Sequence, residues 1–208
     1  MKVVIFDMDG TLIDSQYDIT QTVNHIREVH HALPPLESAE VVEMINHPNR
    51  KLSKFFYGTE QYEERDRELF EAHYHEQCIQ NPKLYPGIKE MLEQLQADGV
   101  RLSVATNASS IFACRMIEHL EIDVHFDKII DPDIAGAPKP EPVMLHYILD
   151  QYGFEHGKHS AWMVGDNSKD IEAAKRTGIS SIFATWGFNQ QGGGDYVVSS
   201  PLDLPGLL

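Results

Sequence analysis

The chain is expected to be an α/β protein: a doubly wound, Rossmann-like parallel sheet core with an inserted all-α cap domain. Three observations predict this. From residue 83 onward, short β-branched runs alternate with amphipathic helical stretches, the pattern of a parallel sheet covered by helices on both faces. One more run of that kind, Val3-Val4-Ile5-Phe6, stands alone at the start. Between the two, residues 15–82 show helical periodicity and no strand. The expected division is an α/β core of residues 1–14 and 83–208, and a helical domain of residues 15–82. A chain of 208 residues suits such a core with one insertion.

In chain order, residues 2–6 predict a buried strand, ended abruptly by Asp7. Ser15 is placed to cap a helix running to about Ala32, because Ile19, Val23, Ile26 and Val29 repeat at three- and four-residue steps. Pro34-Pro35 is expected to end it. Shorter helices are predicted over residues 38–45 and 51–57, and a charged one over 60–79. Tyr85-Pro86-Gly87 restarts the α/β pattern. An amphipathic helix over 88–97 closes on Gly99. Strands are predicted at 100–105, 128–130, 161–164, 179–184 and 196–198, with helices over 109–120, 141–152 and 169–177. Pro142 is tolerated in a first helical turn.

Composition narrows the function. The chain is 42% hydrophobic and 24% charged, as in ordinary globular proteins. A net charge of −15 with no Lys/Arg stripe argues against nucleic acid. It argues less strongly against a phosphorylated substrate, since a divalent cation and a few lysines can make one site positive. Cys78 and Cys114 have no CxxC spacing, so a zinc site or disulfide framework is not expected. No signal peptide or membrane-length apolar run is read, and a cytoplasmic location is expected. The assembly is expected to be a monomer or homodimer. The pairs His30-His31 and His73/His75 are taken as surface histidines rather than ligands.

Four polar groups fall at or just beyond strand ends: Asp7 with Asp9, Thr106 with Asn107, Lys139, and Asp166 with Asp170. Carboxyl ends of parallel strands share one edge, so these groups can converge on one crevice. Paired carboxylates at a buried strand end are costly unless hydrogen-bonded or bound to a cation. Carboxylates suit magnesium, a hydroxyl and an ammonium suit phosphate oxygens, and a carboxylate can itself accept a phosphoryl group. An anionic nucleophile facing an anionic phosphate is repelled by about 4 kcal/mol at 4 Å and an effective dielectric of 20, so such a reaction needs cationic help.

The ordered set DMDGT, a strand ending TN, then KP, then GDNSKD resembles the haloacid dehalogenase superfamily, which includes many magnesium-dependent phosphatases. The stretches YPGIKEMLEQLQADGVRLSVATN and WGFNQQGGGDYVVSSPLDL are similar to its phosphoglycolate phosphatase branch, and the helical insertion is similar to the cap found there. The resemblance implies that Asp7 is the nucleophile that becomes an aspartyl-phosphate. Asp9 would protonate the leaving oxygen and then activate water. Thr106 and Lys139 would bind phosphoryl oxygens, with Asn107 orienting that phosphate site. Mg²⁺ would be held by Asp7, the Asp9 carbonyl and Asp166, with Asp170 behind them or as a further ligand.

The implied substrate is a small phosphorylated metabolite, and the cap is expected to choose it. The segment NHPNRKLSK over residues 46–54 resembles the specificity loop of such caps, although a Gly often stands where Asn46 is. Arg50, Lys51 and Lys54 are its cations, and at least one of Arg50 and Lys54 is expected to face the crevice, suiting a small anionic leaving group such as glycolate. The alternative within the family is a sugar-phosphate mutase similar to β-phosphoglucomutase, which shares the core. A non-catalytic receiver-like domain also gathers Asp, Thr and Lys at strand ends, but it lacks the cap and the DxDGT turn.

Overall fold

Strand β1 (Lys2–Phe6) lies at the centre, and Val3 through Phe6 are completely buried. Beyond it the chain tightens into a turn in which Leu12 and Ile13 both donate their N–H to the Met8 carbonyl, and then forms the two-residue strand β2 (Ile13–Asp14). The computed structural model describes residues 1–47 and 51–208. It divides into two compact units, one of Met1–Asp14 with Lys83–Leu208 and one of Ser15–Pro82.

Among the described residues of the second unit the regular elements are all helices: α1 (Gln16–His31), α2 (Ser38–Asn46), α3 (Leu52–Tyr57) and α4 (Glu64–Gln77). Val23, Ile26, Val41 and Phe56 form its core, with Ile19 packed against it; the periodicity of the first helix predicts Ile19, Val23 and Ile26 there, whereas Val29, on the same predicted face, is exposed. Helix α1 stops before the prolines do anything. Ala32 takes a left-handed conformation (φ 51°) and Leu33 N–H reaches back to Arg27 O, so the helix is closed by its own left-handed end. Asp18 is fully buried, accepting from Gln77 Nε2 (2.8 Å) and from Asn81 N (3.1 Å), which ties the two ends of the unit together. The histidine pair is not a surface feature. Asp66, whose side chain is fully buried, accepts from His30 Nδ1 (2.8 Å) and His31 Nε2 (3.0 Å), and His31 stacks on Tyr57. The sequence conceals this because the acceptor lies on another helix. His73 instead bonds Thr22 Oγ1, and the half-exposed His75 bonds Glu76.

In the first unit, β3 (Lys83–Leu84) pairs antiparallel with β2 and so pins the outgoing and returning chain side by side. These strands are too short to leave a period in the sequence. Then follow α5 (Ile88–Ala97), β4 (Arg101–Ala105), α6 (Ser110–His119), β5 (Lys128–Ile130), α7 (Pro132–Ala135), α8 (Val143–Gln151), β6 (Ser160–Gly165), α9 (Ser168–Thr177), β7 (Ser180–Ala184), β8 (Tyr196–Val198) and α10 (Leu204–Leu207). Helices α7 and α10 are single turns that periodicity does not reveal. Pro142 caps α8 instead of entering its first turn. The main sheet is parallel, in the order β5-β4-β1-β6-β7-β8. Val3, Ile5 and Met163 on one face pack with Met144, Leu145 and Ile148 of α8 and Ala173 and Ala174 of α9. The chain moves outward from β1 through β4 to β5, then outward on the other side from β6 to β8. The reversal falls between β1 and β6, where an open α/β sheet leaves a crevice.

Replacing Asp66 with alanine removes the shared acceptor of two histidines. We expect a loss of about 1–3 kcal/mol, visible as a lower urea midpoint. His75→Ala, at an exposed contact, is expected to change stability by less than about 0.5 kcal/mol.

Candidate active site

The crevice end of β1 carries Asp7, whose N–H donates to Val164 O at 2.8 Å and so continues the ladder with β6. The crevice end of β6 carries Asp166, which is 1% exposed. Asp170 stands in the first turn of α9, and the helix start itself holds it there. Asn167 is the N-cap, its side chain accepts from Lys169 N–H, and the Asp170 carboxylate accepts from Asn167 N–H at 3.1 Å. This is a capping box that also presents a carboxylate to the site. Gly165 makes room for it: a Cβ there would lie 2.3 Å from the Asp170 carboxyl carbon.

Lys139 unites these groups. It is 3% exposed, and its Nζ lies 2.7 Å from Asp7 Oδ1 and 2.6 Å from Asp170 Oδ1. Asn107 holds the Lys139 main chain from both sides, accepting its N–H at 2.8 Å and donating Nδ2–H to its carbonyl at 3.0 Å. The peptide bond from Lys139 to Pro140 is cis. Thr106 directly follows β4, the neighbour of β1; its hydroxyl accepts from Ala108 N–H and retains its own proton to donate. Asp9 is half-buried and bridges to Ile13 through the main chain.

Asp7, Asp166 and Asp170 each offer an oxygen within 4.8 Å of the others. One ammonium does not neutralise three carboxylates. Burial, with the charges of Asp7 and Asp170, pushes the Asp166 carboxyl up to about 8 despite N–H groups donated by Asn189 and Phe188. Burial and Asp7 push Asp170 up to about 6, against the pull of Lys139. Lys139 stays above its ordinary value: burial opposes its charge, and the two carboxylates outweigh that. An all-oxygen set with excess negative charge fits a hard divalent cation. Both Asp170 oxygens are already bonded, one to Lys139 and one to Asn167 N–H.

Of the residues singled out in the sequence, Asp7, Lys139, Asp166 and Asp170 meet in one cluster, and Asn107 joins through the main chain of Lys139. Lys54, on α3, is exposed and pairs with Glu60 at 2.8 Å. Arg50 lies outside the described residues. Three features carry no readable signal. Main-chain N–H groups at Phe188 and Asn189 bond Asp166. Asp131, buried after β5, accepts from Ser110 N–H and Ile134 N–H and sets the starts of α6 and α7. The half-buried Tyr85 phenol is pushed up by burial and by the carboxylates of Asp14, Asp166 and Asp9, so it remains a neutral donor near them.

Fold and site together define a doubly wound α/β protein with an acidic, lysine-bridged crevice. The chain belongs to the haloacid dehalogenase superfamily, in its phosphoglycolate phosphatase-like branch with a helical cap: residues 4–184 match the family described as haloacid dehalogenase-like hydrolase. The chain is 33% identical to a phosphoglycolate phosphatase of Aquifex aeolicus, covering 100% of this chain and 97% of the relative. It is 32% identical to one of Yersinia pestis, over 89% of this chain and 82% of the relative. A crystal structure of a predicted phosphoglycolate phosphatase from Haemophilus somnus superposes with a TM-score of 0.84 at 25% identity, covering 100% of this chain and 97% of that one. Family membership and the aspartate cluster support phosphatase activity in general. Among the described residues no helix is long and apolar enough to cross a membrane.

The raised Asp166 carboxyl has a signed consequence for stability. Between its unfolded value near 3.8 and its folded value near 8, the folded state holds the extra proton. Stability of the metal-free protein therefore falls as pH rises through that window. We expect the melting temperature without divalent cation to decline from pH 5 to pH 8, and Asp166→Asn to flatten the slope. Each kcal/mol relieved reads as about 2–4 °C in a chain of this size.

Proposed function

We propose that this chain is a magnesium-dependent phosphatase that hydrolyses a small phosphomonoester through an aspartyl-phosphate on Asp7. The observation that carries the reading is the buried Lys139 ammonium shared by Asp7 and Asp170 beside Asp166. Asp7 attacks phosphorus as the bond to the leaving oxygen breaks, and Asp9 gives that oxygen its proton. Asp9 then takes a proton from water, which attacks the aspartyl-phosphate and regenerates the Asp7 carboxylate with release of inorganic phosphate. Lys139 and the Thr106 hydroxyl donate to the phosphoryl oxygens. Asn107 keeps Lys139 at its station, and Asp170 holds the ammonium from behind. Asp7, Asp166 and the Asp9 carbonyl would hold Mg²⁺, with Asp170 adding charge, and the ion would offset the repulsion between carboxylate and phosphate.

A hydrophilic, anionic leaving group is the favoured substrate class. The named relatives are phosphoglycolate phosphatases, and 2-phosphoglycolate is the compound to test first. Arg50 and Lys54 are proposed to recognise its carboxylate.

Hydrolysis of a panel of small phosphorylated metabolites, with and without magnesium, tests the reading. Chelation is expected to abolish turnover. Asp7→Asn is expected to leave none above background, and full turnover in that variant would sink the mechanism. Asp9→Asn should cost roughly 10²–10⁴-fold in kcat, the span of one general acid–base.

The specificity residues are tested separately. Arg50→Ala and Lys54→Ala are each expected to lower kcat/KM on the best substrate by about tenfold or more, the worth of a charge-assisted hydrogen bond. Unchanged values in both would remove their role.

A further inference from the structure

We infer that the loop of residues 186–189, after β7, is a positioning element that locks the Asp166 carboxylate against the DxDGT turn and so sets cation affinity. The inference rests on the reading of Asp166 as a cation ligand. Three sets of contacts carry it. The carboxylate of Asp166 accepts main-chain N–H groups from Asn189, at 3.1 Å, and from Phe188. The Trp186 indole Nε1–H donates to the Thr11 carbonyl at 2.9 Å, which fastens the same loop to the turn. Between those bonds Gly187 fits flat against both partners. A Cβ there would stand 1.8 Å from the Gly10 carbonyl oxygen and 2.7 Å from Asp166 Cβ. From the other side, a Cβ on Gly10 would meet Asp166 Oδ2 at 2.6 Å and the Phe188 ring at 2.8 Å. Neither glycine can carry a side chain without parting the loop, the turn and the carboxylate.

The arrangement does one thing that Asp166 cannot do alone. A buried aspartate beside two other carboxylates is repelled by them and, left unheld, would rotate away. Two main-chain N–H groups hold its oxygens in place, and the indole bond keeps their loop in register with the turn that carries Asp7 and Asp9. The ligand oxygens are therefore held before an ion arrives, and binding loses less entropy in ordering them. Partners of this kind, behind a ligating carboxylate, typically change metal affinity by 10–100-fold when removed. Because the donors are main-chain atoms, the requirements on the sequence are a glycine at 187 and residues other than proline at 188 and 189.

The test is a titration of the full chain with Mn²⁺ alone, followed by electron paramagnetic resonance, with thermal melting of the metal-free protein and kcat measured against magnesium concentration. Gly187→Ala and Asn189→Pro are expected to weaken Mn²⁺ binding about 10–100-fold, and kcat should recover at high magnesium, which a general loss of structure would not allow. Trp186→Phe, which deletes only the indole donor, should weaken binding less. It serves as the folded variant if either of the others does not fold. Gln191→Pro, exposed in the same segment, should bind as wild type. Loop variants that bind Mn²⁺ as tightly as wild type, while Asp166→Asn does not, overturn this inference alone. Wild-type binding that survives Asp166→Asn overturns the cation reading beneath it as well.

Discussion

The core unit depends on one buried cation. Lys139 Nζ lies within 2.7 Å of Asp7 and 2.6 Å of Asp170 with almost no solvent. A charge in such a place costs several kcal/mol to desolvate unless its partners are close and themselves hydrogen-bonded. Every nearby element serves that condition. The Asn107 amide fixes the Lys139 main chain, the capping box of α9 fixes Asp170, and the ladder bond to Val164 fixes Asp7. The ammonium still leaves the cluster short of neutrality. That shortfall appears as a carboxyl on Asp166 held near 8. A divalent cation would relieve it, and a phosphoryl group could then approach a carboxylate that would otherwise repel it.

The site is built by ordinary structural devices set at the right strand ends. The order of the sheet reverses between β1 and β6, and this alone brings Asp7 and Asp166 together. A helix N-cap gives Asp170 its orientation, and a glycine at 165 gives it space. The geometry of the acidic cluster follows from the same hydrogen bonds that end strands and start helices. For that reason, changes at residues which touch no substrate, such as Gly187, bear on the chemistry.

Much of this is legible in the primary structure. The buried strands show as β-branched runs, the helices as three- and four-residue steps, and the polar groups as interruptions at strand ends. Asp7 and Asp9 stand out because two charged residues at the end of a buried strand are too costly to be idle, whereas Lys139, Asp166 and Asp170 gain their weight from the ordered set they form with that pair. The histidines misled for the opposite reason. His30 and His31 resemble surface residues until Asp66, thirty-five or more positions away, is found buried between them. β2, β3, α7 and α10 are too short for any periodicity to register. The clamp on Asp166 escaped because main-chain donors have no residue type.

The sequence by itself determined the α/β class, the order of the elements and the kinds of chemical group at each strand end. These follow from local periodicity and from the cost of burying charge. The tertiary structure decided which of those groups meet. Lys139 pairs with Asp7 across 132 positions, and Asn107 turns to the Lys139 backbone across 32. It also decided that a loop after β7 grips Asp166. Partnership between distant groups depends on sheet order and loop course, and neither leaves a period or a composition to be read.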